Sequence, residues 1–231
     1  MQEPTVHLDV RTLYDHFDLP VTDFDCGEKC RIHNPSGKPF CCDICHAVPV
    51  AYQQEWKYLQ PRTSLWHLWQ GDECSADPSD PRELRSQTPE HLLLLACKGP
   101  DFCERNFRAS SCRQFPFFPY VTSADRFIGL AYEWEFESTC WVISALETVT
   151  ASYRREFIRV FDDLFTRIPN EFESYAGTSE EMRGHFAQIK RRIPLLHRNG
   201  KSYLISPTSE RMTRVDPLLF PKFGYYKDDQ R

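Results

Sequence analysis

Ten cysteines carry the chemistry that this sequence announces: Cys26, Cys30, Cys41, Cys42, Cys45, Cys74, Cys97, Cys103, Cys112 and Cys140. Thiolates are the soft ligands of zinc and iron, and two on one tight turn already stand near the separation a tetrahedral ion requires. Cys26-x3-Cys30 and Cys42-x2-Cys45 have that spacing, with Gly27 allowing the backbone to turn after Cys26. Cys41 is expected to diverge from Cys42, because the ring that adjacent cysteines close on an ion is strained. The cluster then serves two ions or keeps a spare thiol, and Cys97, Cys103 and Cys112 complete the thiolates needed for two four-ligand sites. Cys42-x-x-Cys45-His46 also matches the attachment pattern of c-type haem. That attachment is made on exported chains, and "MQEPTVHLDVRTLYDHF" shows no export signal, so metal ligation is the expected use.

Residues around the thiols fit the same reading. Arg113, next to Cys112, is expected to compensate a negatively charged centre, and Phe115-Pro116-Phe117-Phe118-Pro119 to keep water from it. His33 and His46 flank the cluster, as ligands or as hydrogen-bond donors to thiolates. Asp25, Asp43 and Glu104 could also fill a ligand position. Cys74, in the acidic, proline-rich "GDECSADPSDP", reads as a free thiol, and the apolar "CWVIS" that Cys140 opens suits a buried free cysteine. Trp66, His67 and Trp69 read as core or lid packing.

Cys112-Arg113-Gln114-Phe115-Pro116, after a cysteine-rich block with an adjacent pair, resembles the YkgJ-like cysteine-cluster family. That family is a zinc- or iron-chelating domain marked by Cys-x-x-Cys-x-x-Cys-Cys followed by Cys-Arg-x-Phe-Pro. The resemblance spans roughly Phe24 to Cys140, and it departs from the pattern where "RIHNPSGKPF" is inserted between Cys30 and Cys41. It implies bound metal, with Cys26, Cys30, Cys41, Cys42, Cys45, Cys97, Cys103 and Cys112 as ligands and Cys140 as the next. The family includes the flagellin lysine methylases, for which an iron–sulfur cluster has been proposed. The resemblance therefore leaves open Zn2+, iron or a 4Fe–4S cluster.

These residues need elements to hold them. A helix over Val50 to Leu59 is expected after Cys45, and Thr88-Pro89 should start another that runs to Ala96, leaving Cys97 at its end before Gly99-Pro100. "SYRREFIRVFDDLFTRI" has the three-to-four spacing of an amphipathic helix. Thr178 and Glu181 read as a capping box for a helix that ends before Pro194. Asn199-Gly200 between apolar runs signals a tight hairpin, and the tail "FPKFGYYKDDQR" is expected to dock at its start and fray at its end. The fold expected is mainly α with a small β-hairpin: residues 1–145 form a loop-rich cysteine-cluster metal-binding region, and 146–231 a helical extension packed on it as one domain.

Composition narrows the function. The net charge of −5 offers no field for nucleic acid, and no apolar run reaches the length of a membrane span. No phosphate-cradling glycine loop or nucleophile elbow is visible. The expectation is a cytoplasmic protein that holds zinc or iron through clustered thiolates, with a metal ion and a protein as its partners. The alternative is an iron or iron–sulfur enzyme of redox or protein-modifying type.

Overall fold

The computed structural model describes residues 9–74 and 81–227. Residues 75–80 of the acidic loop and 228–231 of the tail, whose fraying was expected, lie outside the described residues. Helical residues make up 44% and strand residues 17%, in two antiparallel sheets of three and five strands. The chain is therefore a mixed α/β protein, and the expectation of a mainly α fold with one small hairpin is corrected. It divides into two compact units, one built from residues 9–18 and 25–115, the other from 19–24 and 116–227. That division falls earlier than the 145/146 boundary suggested by the sequence.

The first unit contains every cysteine except Cys140. Its helices are α1 (Val10–Asp15), α2 (Gly27–Cys30), α3 (Gln53–Leu59), α4 (Pro81–Gln87) and α5 (Ser110–Gln114). Its strands are β1 (Val50–Tyr52), β2 (Trp66–Leu68) and β3 (Leu92–Cys97), ordered β1-β3-β2. One expected helix is shortened here and another is replaced by a strand. Val50 to Tyr52 are strand, with the helix starting only at Gln53, and the Leu92–Leu95 run is the central strand. A short continuous apolar run has no periodicity to separate buried strand from buried helix. Partners on both sides decide it, with Leu93 opposite Ala51 and Ala96 opposite His67. Cys97 thus ends a strand instead of a helix.

Glu55 in α3 ties this unit together. Its fully buried carboxylate accepts hydrogen bonds from Tyr14 Oη (2.8 Å), the Ser110 amide (2.6 Å), Ser110 Oγ (2.9 Å) and the Tyr52 amide (3.2 Å). One side chain therefore joins α1, the end of β1 and the start of α5. Burial raises its pKa, and the donors from Ser110, Tyr14 and Tyr52 oppose that rise.

The second unit is built on β4 (Phe117–Val121), β5 (Phe127–Tyr132), β6 (Ile193–His197), β7 (Ser202–Ile205) and β8 (Met212–Val215), neighbours in that order, with α6 (Ala151–Arg167) and α7 (Pro169–Gln188). Phe117 to Pro119 of the expected shield belong to the edge strand β4, where Pro119 removes no ladder donor that the sheet interior would need. At Val121, α7 covers that edge: the amide donates to Ser179 Oγ (2.9 Å) and the carbonyl accepts from Arg183 Nη1 (2.8 Å). The expected capping box at Thr178 lies inside α7. Pro169 occupies the first turn, and Thr178 Oγ1 donates back to the Ser174 carbonyl at 3.3 Å. Pro194 belongs to β6, outside the stretch paired with β5, so its missing donor is not needed on that side.

The amphipathic helix and the hairpin appear where the pattern put them. α6 begins after the Thr150 cap and buries Tyr153, Phe157, Val160, Phe161 and Leu164. β6 and β7 turn through Asn199-Gly200, with Gly200 at φ 83°. Gly224 is at φ 51°, and a Cβ there would run into the Ser138 carbonyl oxygen. Among the described residues no helix is long and apolar enough to cross a membrane.

Two substitutions test this description by denaturant unfolding. Glu55→Ala leaves the Tyr14 hydroxyl and the Ser110 and Tyr52 amides without their acceptor, and should cost about 3 kcal/mol or more, since each orphaned buried group costs roughly 1–3 kcal/mol. Gly224→Ala meets both backbone strain and the Ser138 carbonyl and should cost on the order of 2 kcal/mol.

Candidate metal centre

Cys30 ends α2, and Cys41 and Cys42 lie on the 3-10 turn Phe40–Cys42. Cys97 ends β3, Cys103 follows the 3-10 turn Pro100–Phe102, and Cys112 lies in α5. Each segment is short and separately anchored, so the thiols are gathered by tertiary structure and not by one loop. Their charges reach one another: Cys112 feels Cys42, Cys97 and Cys103, while Cys30 feels Cys42.

Burial is the main force on three of these thiols. It pushes Cys30, Cys97 and Cys112 up, Cys112 farthest, and neighbouring thiolates push the same way. Cys42 moves in the opposite direction, to about 7, chiefly because Cys41 hydrogen-bonds to it, with the Arg108 charge helping. The two sulfurs are 3.9 Å apart. Adjacent cysteines were expected to diverge; here they converge.

Arg108 supplies the compensating charge that the sequence suggested for Arg113. Its Nε donates to Cys103 Sγ at 3.1 Å. Burial works against the guanidinium charge, but that hydrogen bond and the charges of Cys103, Cys42 and Cys112 outweigh it and raise its pKa. Arg113 instead serves the backbone. Its Nε donates to the Arg108 carbonyl (3.0 Å) and Nη2 to the Asn106 carbonyl (2.9 Å), while Nη1 pairs with Asp18 (3.1 Å) and the guanidinium lies 4.2 Å from the Tyr14 ring centroid. Arg113 therefore shapes the loop that presents Arg108. Nothing in the spacing of the sequence separated the two arginines.

Other candidates are placed differently. Cys45 and Cys74 are joined by a disulfide, their Cα atoms 5.3 Å apart, so Cys45 offers no thiolate in this structure and Cys74 is not a free thiol. Cys26 immediately precedes α2. Cys140 belongs to the other unit, where its amide donates to the Phe136 carbonyl at 2.8 Å. His46 packs edge-on against Phe40, the ring centroids 4.9 Å apart. Asp25 accepts from the Gly27 amide, and Glu104 from Thr63 Oγ1. Asp43 is held below the usual carboxylate range: burial opposes this, but hydrogen bonds from Ser36, Asn34 and the Cys45 amide prevail. Trp66 is buried as packing, with Nε1 donating to the Phe107 carbonyl at 2.7 Å.

The donor set can be compared with a thiolate-bound metal. Zinc–sulfur bonds of about 2.3 Å at tetrahedral angles place two sulfurs about 3.8 Å apart, and the Cys41–Cys42 separation of 3.9 Å matches that bite. Among the described residues, however, no three His, Cys, Asp or Glu side chains form a group that could hold an ion. A bound metal would require the remaining thiols to close on that pair. No protein-family model, curated protein or solved structure matches the chain.

The thiol order is open to alkylation under metal-free conditions. Because Cys42 is lowered to about 7, its thiolate fraction and labelling by iodoacetamide should rise through neutral pH, while Cys112 resists labelling until far higher pH. Arg108→Ala should shift the Cys42 profile to higher pH. Peptide mass mapping after timed alkylation reads both outcomes, and a Cys112 that labels alongside Cys42 at neutral pH contradicts this order.

Proposed function

We propose that the cysteine-rich unit is a thiolate metal-binding module that takes zinc or iron, with ligands drawn from Cys30, Cys41, Cys42, Cys97, Cys103 and Cys112. The observation that carries the reading is the charge coupling of Cys112 to Cys42, Cys97 and Cys103, beside the Arg108 guanidinium. Half-buried thiolates repel one another, and a divalent cation among them relieves the repulsion while taking their protons' place. The Cys41–Cys42 bite adds a geometric argument, and the likeness to the YkgJ-like pattern at Cys112-Arg113-x-Phe115-Pro116 favours the same chemistry. Arg108 would then offset the net negative charge of a multi-thiolate centre and orient Cys103.

Zinc makes the unit a closed, structural or chelating module. An iron or iron–sulfur centre instead favours a redox or protein-modifying enzyme like the flagellin lysine methylases, in which case an open coordination position is needed. Cys26 and Cys45 remain ligands of the wider proposal, Cys45 only once its disulfide is reduced.

Anaerobic purification followed by metal analysis and a visible spectrum on the same sample separates these readings. Stoichiometric zinc without colour supports the module, and iron with charge-transfer absorption supports the redox centre. Cys112→Ser should lose bound metal and lower the melting temperature of the loaded protein, because binding free energy to a structural site is folding free energy. Full metal content and an unchanged melting temperature in that variant would sink the assignment.

A further inference from the structure

The two edges of the five-stranded sheet are treated differently. On β4, side chains of α7 take up the outer groups of Val121. β8, at the opposite edge, pairs with β7 alone among the described residues, and Arg211 to Arg214 are all exposed. The register tells which backbone groups this edge offers. The Ser206 amide donates to the Arg211 carbonyl at 3.0 Å. Antiparallel partners alternate between bonded and non-bonded pairs, so Leu204 with Thr213 and Ser202 with Val215 are bonded, while Ile205 with Met212 and Tyr203 with Arg214 are not. The other side of β7 agrees: the His197 amide donates to the Lys201 carbonyl at 2.9 Å, which turns the backbone groups of Tyr203 and Ile205 toward β6. The amides and carbonyls of Met212 and Arg214 therefore face away from the sheet, a row that another strand can pair with.

Side chains decide which strand suits that row. Glu210 pairs with Arg183 (3.3 Å) and accepts from the Ser123 amide (3.1 Å), and Asp216 accepts from the Leu218 amide (3.0 Å). The acids that bracket β8 are thus engaged within the chain. Arg211 and Arg214, between them, pair with no carboxylate among the described residues. Arg192, just before β6, donates to Thr213 Oγ1 at 2.6 Å and brings a further guanidinium to the same strand. Met212 adds an exposed apolar side chain between the two arginines.

We propose that β8 is a docking edge for an extended acidic segment of a partner protein, which joins the sheet as a further antiparallel strand. Directly opposite pairs fix the chemistry of that segment. One carboxylate side chain falls opposite Arg214 and another, three residues later, opposite Arg211. Apolar or β-branched side chains fall opposite Val215 and Met212. Because side chains alternate between the faces of a sheet, the two carboxylates stand on opposite faces, so a plain alternation of acidic and apolar residues satisfies only one of the arginines. The outward amides and carbonyls supply the affinity, and the spacing of the acids supplies the specificity.

The probe is a fluorescein-labelled, C-terminally amidated peptide, Thr-Val-Glu-Thr-Val-Glu-Thr, titrated against the full chain at low salt and read by fluorescence anisotropy. Its counterpart carries Lys in place of both Glu residues. The Glu peptide should bind at least about tenfold more tightly than the Lys peptide, since two exposed ion pairs give way to two repulsions. The double variant Arg211→Glu, Arg214→Glu should reverse that preference, an exchange that a general loss of structure does not produce. Met212→Pro removes an outward donor and no bond to β7, and should weaken the Glu peptide by about fivefold while the circular dichroism spectrum is kept. Amide exchange should slow at Met212 and Arg214 when the peptide is added. No binding of the Glu peptide, equal binding of the two peptides, or an unchanged preference in the double variant would overturn the proposal. So would a dimer, seen by sedimentation, that protects the Met212 and Arg214 amides without peptide, because a second copy would then hold the edge.

Discussion

A buried carboxylate cannot be left without donors, and the architecture around Glu55 follows from that requirement. Its two oxygens draw in the Tyr14 hydroxyl, the Tyr52 amide and both donors of Ser110. Those donors come from α1, from the junction of β1 with α3, and from the start of α5, far apart in sequence. Two residues after Ser110 comes Cys112, and α5 is too short to orient itself by its own hydrogen bonds. The position of that thiol is therefore set by an acid that touches no sulfur. Arg113 completes the arrangement by binding the carbonyls of Arg108 and Asn106, which holds the loop carrying the arginine that does reach a thiol.

The thiols show how burial and charge compete. Desolvation favours the neutral form at Cys30, Cys97 and Cys112, and each thiolate that forms makes the next one harder. Cys42 escapes because Cys41 can hydrogen-bond to it and Arg108 lies within electrostatic reach. Cys42 is thereby set apart from the three thiols that burial pushes up.

How much of this was legible in the sequence depends on the kind of signal. The Phe157, Phe161 and Phe165 spacing named α6, whose consecutive rings stand 4.5 and 5.7 Å apart. Asn199-Gly200 named its turn because few residues tolerate the left-handed backbone found there. The four leucines of β3 misled, because periodicity disappears when a strand has a neighbour on each side. The larger sheet was hidden for a related reason: Pro119 read as part of a shield and Pro194 as a helix stop, yet each occupies a position where the sheet asks for no donor. The Cys45–Cys74 pairing and the choice of Arg108 over Arg113 were out of reach, since both depend on which loops meet in space.

The interleaving of the two units bears on how the chain is made. Residues 9–18 belong to the thiol-bearing unit, but the next six, 19–24, belong to the other. There the Leu19 amide donates to Glu156 and the Val21 carbonyl accepts from the Thr150 amide. During synthesis that strip emerges early, while its partners on α6 lie more than a hundred residues downstream, a delay on the order of ten seconds at common ribosome speeds. The cysteine-rich unit can close once Phe115 has left the ribosome, while the strip still lacks its partners. Nascent protein would therefore pass through a stage in which its thiols are gathered and the rest of its backbone is not, a window in which the redox conditions of the surroundings meet those thiols before the chain is complete.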